Sequence, residues 1–138
     1  GCVVDGNRET ENPGVFACGN VLHVHDLVDF VSEEAEVAGR AAAEYLSAGE
    51  REHAYIPTVA GENVTYVLPQ RAERGQDVKL YFRVRSAFRG AVIRVEAGDA
   101  ERTYKRIAVA PGEMENVTVR AADLANAQEI RVSVVREA

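Results

Sequence analysis

The residues best able to do chemistry in this 138-residue chain gather near its start. His23 and His25 alternate along the chain, with Asp26 and Asp29 close behind. A His-x-His pair with a nearby carboxylate can ligate zinc. Zinc also needs a third or fourth ligand at firm spacing, and nothing else nearby supplies one. The expectation for these four residues is therefore a polar loop with ordinary hydrogen bonds and no metal. Cys2 and Cys18 are too far apart for a C-x-x-C redox pair and too few for a disulfide framework. They read as reduced structural thiols. In the second half Tyr81, Arg83 and Arg85 share one side of a strand pattern, which reads as a solvated face without a catalytic constellation. No G-x-G-x-x-G occurs anywhere, so the chain carries no dinucleotide-binding glycine loop of its own.

The elements that must position these residues change character along the chain. Val15-Phe16-Ala17-Cys18 is a continuous apolar tetrad that ends at Gly19-Asn20, the pattern of a strand buried on both faces of a parallel sheet. Residues 21–31 show no clear period. Ser32 then reads as a helix cap, and Glu33, Glu34 and Glu36 favour the positive end of the helix dipole. The helix is expected to run to about Leu46, with small residues (Ala35, Ala38, Ala42, and Gly39 and Ala41 nearby) beside Tyr45 on its packing side. Residues 51–62, with Pro57 and Gly61, read as a linker. Beyond them the period falls to two: Val78, Leu80, Phe82 and Val84 alternate with Lys79, Tyr81, Arg83 and Arg85. Further strands are expected at 64–68, 91–97, 103–109, 117–120 and 129–135. Six short strands separated by turn signals suggest an all-β, immunoglobulin-like sandwich.

The stretch from Thr10 to Asn20 resembles the second FAD-binding motif of the pyridine nucleotide-disulfide oxidoreductase superfamily. That motif is a Thr, four variable residues, an apolar tetrad and Gly-Asp; here Thr10, Val15 to Cys18 and Gly19 fit, and Asn20 stands in place of the acid. The run from Asn20 through Glu34 is similar to FAD/NAD-linked oxidoreductases related to thioredoxin reductase. The resemblance covers residues 1–48. It implies that Gly19 lets the backbone approach the flavin and that the Asn20 carbonyl oxygen accepts a ribityl hydroxyl. It also implies that backbone N–H groups at Ser32, Glu33 and Glu34, at the helix start, face the flavin pyrimidine. The His23–Asp29 loop would then line the flavin or its substrate.

The resulting expectation is an α+β fragment with two parts. Residues 1–50 form a strand–loop–helix remnant of an FAD-binding α/β domain, and residues 51–138 form the sandwich. The parent protein would pass hydride between NAD(P)H and FAD and on to an unnamed acceptor. The ADP-binding motif and the NAD(P) site would lie outside this chain, which alone would be inactive. Its partners would be the remaining FAD/NAD(P) domains, a redox partner protein, and a second copy pairing along the orphaned strand and helix face. The rival expectation is a non-enzymatic immunoglobulin-like binding module with a helical extension.

Charge separates the same two parts. Residues 1–50 carry 10 acidic residues against 2 arginines, a net of −8, whereas the rest carries 14 basic against 12 acidic, a net of +2. The overall −6 lacks the basic stripe of a nucleic-acid binder. No apolar run approaches the roughly 20 residues of a membrane span, and the expected compartment is the cytoplasm.

Overall fold

The computed structural model describes residues 1–137 as an α+β fold, largely strands, with one α-helix and two sheets. Helix α1 spans Val28–Ala48. The strands are β1 (Tyr55–Ala60), β2 (Val64–Leu68), β3 (Arg71–Glu73), β4 (Val78–Val84), β5 (Phe88–Ala97), β6 (Ala100–Val109), β7 (Glu115–Val119) and β8 (Ile130–Arg136). One sheet has the order β3-β1-β8-β5-β6 and the other the order β2-β4-β7. No helix among the described residues is long and apolar enough to cross a membrane.

The sandwich follows from alternation. In β4, Val78, Leu80, Phe82 and Val84 point inward and are buried. Ala91, Ile93, Val95 and Ala97 do the same from β5, and Ile130, Val132 and Val134 from β8. These residues join one continuous apolar core drawn from both sheets. Each buried aliphatic side chain contributes roughly 1.5–3 kcal/mol relative to exposure. The two-residue turn between β5 and β6 starts at Gly98, which takes φ +58° and lies so close to Ala127 that a Cβ would sit 3.2 Å from its Cα. Only glycine adopts that backbone without strain.

Residues 51–62 are not simply a linker, because they contain β1. Its first half, Tyr55–Pro57, pairs antiparallel with β3, and its second half, Thr58–Ala60, pairs parallel with β8. Pro57, which lacks an N–H, sits where the strand changes partners, so its missing donor interrupts neither ladder for long.

The N-terminal residues and α1 form a further layer: residues 4–9 bond to β1 and β3, while residues 23–33 cover the outer face of β4. The strand pattern predicts a solvated face there, yet Tyr81 is only 1% exposed. The rings of His25, Phe30 and His23 surround it at centroid distances of 5.2, 5.8 and 6.0 Å. Lys79 and Arg83 reach out from the same strand to Glu33 and Asp26. The outer face of β4 is an interface because the N-terminal layer supplies partners for these polar groups.

Val15–Cys18 is not a sheet strand. Only isolated bridges occur there, Val4 with Thr10 and Glu9 with Phe16, and Val15 is 51% exposed. The local backbone bonds Thr10 N–H to Val15 O and Ala17 N–H to Arg8 O fold the segment back on itself instead. Helix α1 also starts four residues before Ser32. Leu27 occupies the N-cap and offers no side-chain bond. Ser32 is exposed inside the helix and caps nothing.

Candidate functional site

The centre of the N-terminal layer is one carboxylate. Glu34 is 1% exposed, on the face of α1 that also carries Phe30, Val37, Ala38, Ala41 and Tyr45. Four donors converge on it. Gly19 N–H meets Oε1 at 2.9 Å. Arg8 Nε, His23 Nε2 and His25 Nε2 meet Oε2 at 3.3, 3.3 and 3.2 Å. An ionised carboxylate only accepts, so both histidines carry hydrogen on Nε2. The Nδ1 of His23 then accepts from the Tyr66 hydroxyl at 3.0 Å. The Nδ1 of His25 is buried without a partner.

Burial pushes the Glu34 carboxyl up, but the bonds from His23 and Gly19, the Arg8 charge and the His25 bond outweigh it. The net effect lowers its pKa from 4.5 to about 2. Glu34 is thus a fixed anion at the meeting point of helix, loop and sheet. Arg8, two imidazoles and the Gly19 N–H surround that anion, and His23, His25 and Glu34 bring ligand atoms to within 4.8 Å of one another. The arrangement holds the Gly19 loop in place.

Around this centre the loop is tied down again. Asp26 accepts from Arg83 and from the Met114 N–H; burial raises its pKa, and these bonds bring it below the usual carboxylate range. Glu33 accepts from Lys79 at 2.7 Å and the Tyr81 hydroxyl at 2.6 Å, which lower its pKa. Burial, and then the bond to Glu33, push the Tyr81 hydroxyl up.

The expected site residues therefore separate. Gly19 opens a short 3₁₀ turn, Gly19–Val21, at φ +75°, with open space on the side where a Cβ would project. Asn20 is exposed beside it. Ser32, Glu33 and Glu34 do not present free backbone N–H groups, because they lie within α1, where i−4 carbonyls take up those donors. The start of the helix is at Val28 and Asp29. The side chains of Glu33 and Glu34 instead fasten the helix to β4 and to the Gly19 loop. His23 and His25 do come together, with Glu34 and not with Asp26 or Asp29; Asp29 is exposed. Arg8, Tyr66 and Tyr81 complete the cluster without a clear sequence signal. Arg8 gives the faintest hint, as a cation in an otherwise acidic segment.

Five of the exposed large apolar residues flank the same turn in the sequence: Val15, Val21, Val24, Leu27 and Val28, each 51–76% exposed. Beside Tyr66 and His23, a pocket lined also by Leu22, Val24, Gln70 and Arg83 opens between the loop and β2. No protein-family model, curated protein or solved structure matches the chain.

Proposed function

We propose that this chain is the C-terminal part of an FAD-dependent, NAD(P)-linked oxidoreductase of the pyridine nucleotide-disulfide superfamily. The observation that carries the reading is the run of exposed apolar residues that flanks the motif in sequence. Val15, Val21, Val24, Leu27 and Val28 are left in water on either side of Gly19-Asn20. Exposed apolar side chains suit a binding face, and here they flank in sequence the residues whose spacing resembles an FAD motif. Open space in front of Gly19 suits close approach of a ligand to the backbone. Asn20 accepts a ribityl hydroxyl in this reading, and the free N–H groups at Val28 and Asp29 take the role that the motif's spacing gives to Ser32, Glu33 and Glu34. Glu34, through Gly19, holds the turn in register with the helix.

When bound, FAD takes hydride from NAD(P)H and passes electrons to an acceptor. The ADP-binding loop and the nicotinamide site belong to the rest of the parent, a cytoplasmic enzyme. The strand-rich part is an immunoglobulin-like sandwich that serves packing or docking of a redox partner. An isolated copy of the chain pairs with a second through the exposed apolar residues.

The test is the absorbance spectrum of the purified full-length parent, with and without added FAD. Flavin bands are expected in the parent and not in this chain alone. Asn20→Ala in the parent should weaken FAD binding about tenfold, the worth of one hydrogen bond to a polar partner. A parent that takes up no flavin even at high FAD would leave a non-enzymatic binding module as the better account.

A further inference from the structure

A second polar cluster, separate from Glu34, joins the first turn of the chain to β1 and β3. Asp5, Glu9 and His53 each bring a ligand atom to within 4.8 Å of the others. Asp5 is fully buried and Glu9 is 8% exposed. The distribution of protons here is the reverse of that around Glu34. His53 Nδ1 lies 3.0 Å from Glu73 Oε1, and Glu73 is held in turn by Arg51 at 2.9 Å. A carboxylate can only accept, so Nδ1 carries a hydrogen and the other ring nitrogen, Nε2, is turned toward Glu9.

Nε2 faces a second carboxylate. His53 Nε2 is 3.6 Å from Glu9 Oε1, too long for a hydrogen bond. Oε1 has no hydrogen-bond partner among the described residues, while Oε2 accepts the Gly14 N–H at 2.9 Å. Asp5 spends Oδ1 on the N–H groups of Asn7 and Glu9, and one lone pair of Oδ2 on the Tyr55 hydroxyl at 2.7 Å. One lone pair of Oδ2 is left. Three possible ligand atoms therefore converge within 4.8 Å of one another, two of them on buried carboxylates, an arrangement that a cation at the centre would satisfy.

We propose that Asp5, Glu9 and His53 bind a divalent transition-metal ion of the zinc class. Metal–ligand bonds of about 2.0–2.2 Å in a tetrahedral site separate N and O ligands by about 3.3–3.6 Å, which the His53–Glu9 distance meets. The imidazole selects zinc-like ions over magnesium or calcium. Glu73 supplies the carboxylate behind the histidine that orients such ligands and raises their basicity. Glu9 and His53 also line a cavity of about 190 Å³ with Arg51, Tyr45 and Gln76, which has room for water or a small anionic ligand beside the ion. The ion would clip residues 5–9 to β1 and β3. This assignment does not depend on the flavin reading.

The experiment is calorimetric titration of the metal-free chain with zinc chloride at neutral pH, in a Cys2→Ser/Cys18→Ser background so that thiols do not contribute. One saturable site is expected, weakened at least tenfold by His53→Ala and by Glu9→Gln, with circular dichroism confirming that each variant is folded. Cobalt in the unaltered chain gives a second readout that needs no variant. It should broaden the NMR signals of the His53 ring and leave those of His23 and His25 sharp. Absence of saturable zinc binding would overturn the proposal, as would His53→Ala binding like the parent chain or cobalt broadening only His23 and His25. A proton found on His53 Nε2 at neutral pH, with no zinc uptake, would overturn it too, since an imidazolium would then bridge the carboxylates.

Discussion

Phe82 lies in a buried cluster made wholly of apolar side chains, whereas Glu34, equally buried, is surrounded by an arginine, two histidines and a peptide N–H. The sandwich is held by non-directional burial, which tolerates small shifts and is indifferent to pH. The N-terminal layer is held by a few directional bonds to a charge that has no access to water. Its interior is costly if any one partner is lost, because a buried group is then left unpaired. One protein thus joins a robust support to a conditional cover, and the Gly19 turn rides on the cover.

The widest test of this contrast is removal of a core ring. Phe82→Ala should destabilise the chain by about 3–5 kcal/mol, read by urea unfolding, because the cavity left among Leu80, Val84 and their neighbours cannot collapse fully. The loss should be the same at pH 7 and pH 4. A loss that varied with pH would mean that the sandwich also depends on the charged layer.

Acid should act on the cover first. Glu34 has a folded pKa of about 2 against an ordinary 4.5, so its ionised form is favoured by folding. The associated stability is present above about pH 4.5 and is lost as pH falls from there through 2. A shift of this size corresponds to about 3 kcal/mol. Asp26 and Glu33, lowered in the same layer, add to it in the same direction. Unfolding free energy measured between about pH 5 and pH 2 should therefore fall steeply, and Glu34→Gln should flatten that fall while lowering stability at pH 7. An unchanged slope in Glu34→Gln would separate the acid sensitivity from this carboxylate.

The same contrast explains what can be read from sequence. Strand β4 is legible because alternation of Val78, Leu80, Phe82 and Val84 is a direct image of one buried face, and β2, β5, β6, β7 and β8 fall within a few residues of their expected places. Strand β1 is missed because Pro57 reads as a breaker when the change of partners around it is invisible. The three residues of β3 are too few to show a period. In the N-terminal layer, Ser32 looks like a cap because the true N-cap, Leu27, offers no capping side chain and the turn after it is apolar except for Asp29. Burial of Glu34 is not legible at all. A glutamate is solvated by default, and its four partners stand 9, 11, 15 and 26 residues away in the chain. Pairing of His23 with His25 is visible in the spacing, while the acid that joins them is not the Asp26 or Asp29 that the spacing offers.

The finest test reaches the cover without touching its charge. Tyr66→Phe keeps the ring that packs beside His23 and removes only the hydroxyl that donates to His23 Nδ1. That leaves a half-buried acceptor unpaired, at a cost of about 1–2 kcal/mol. Because His23 bonds Glu34 through its other nitrogen, the loosening should pass to the Gly19 N–H and to residues 19–25. Hydrogen exchange should therefore quicken at Gly19 and along that loop, with protection in β5 and β8 falling no further than global stability requires. Equal loss in the loop and in β5 would mean that the two layers open together. The distinction between a robust support and a conditional cover would then fail at its most local point.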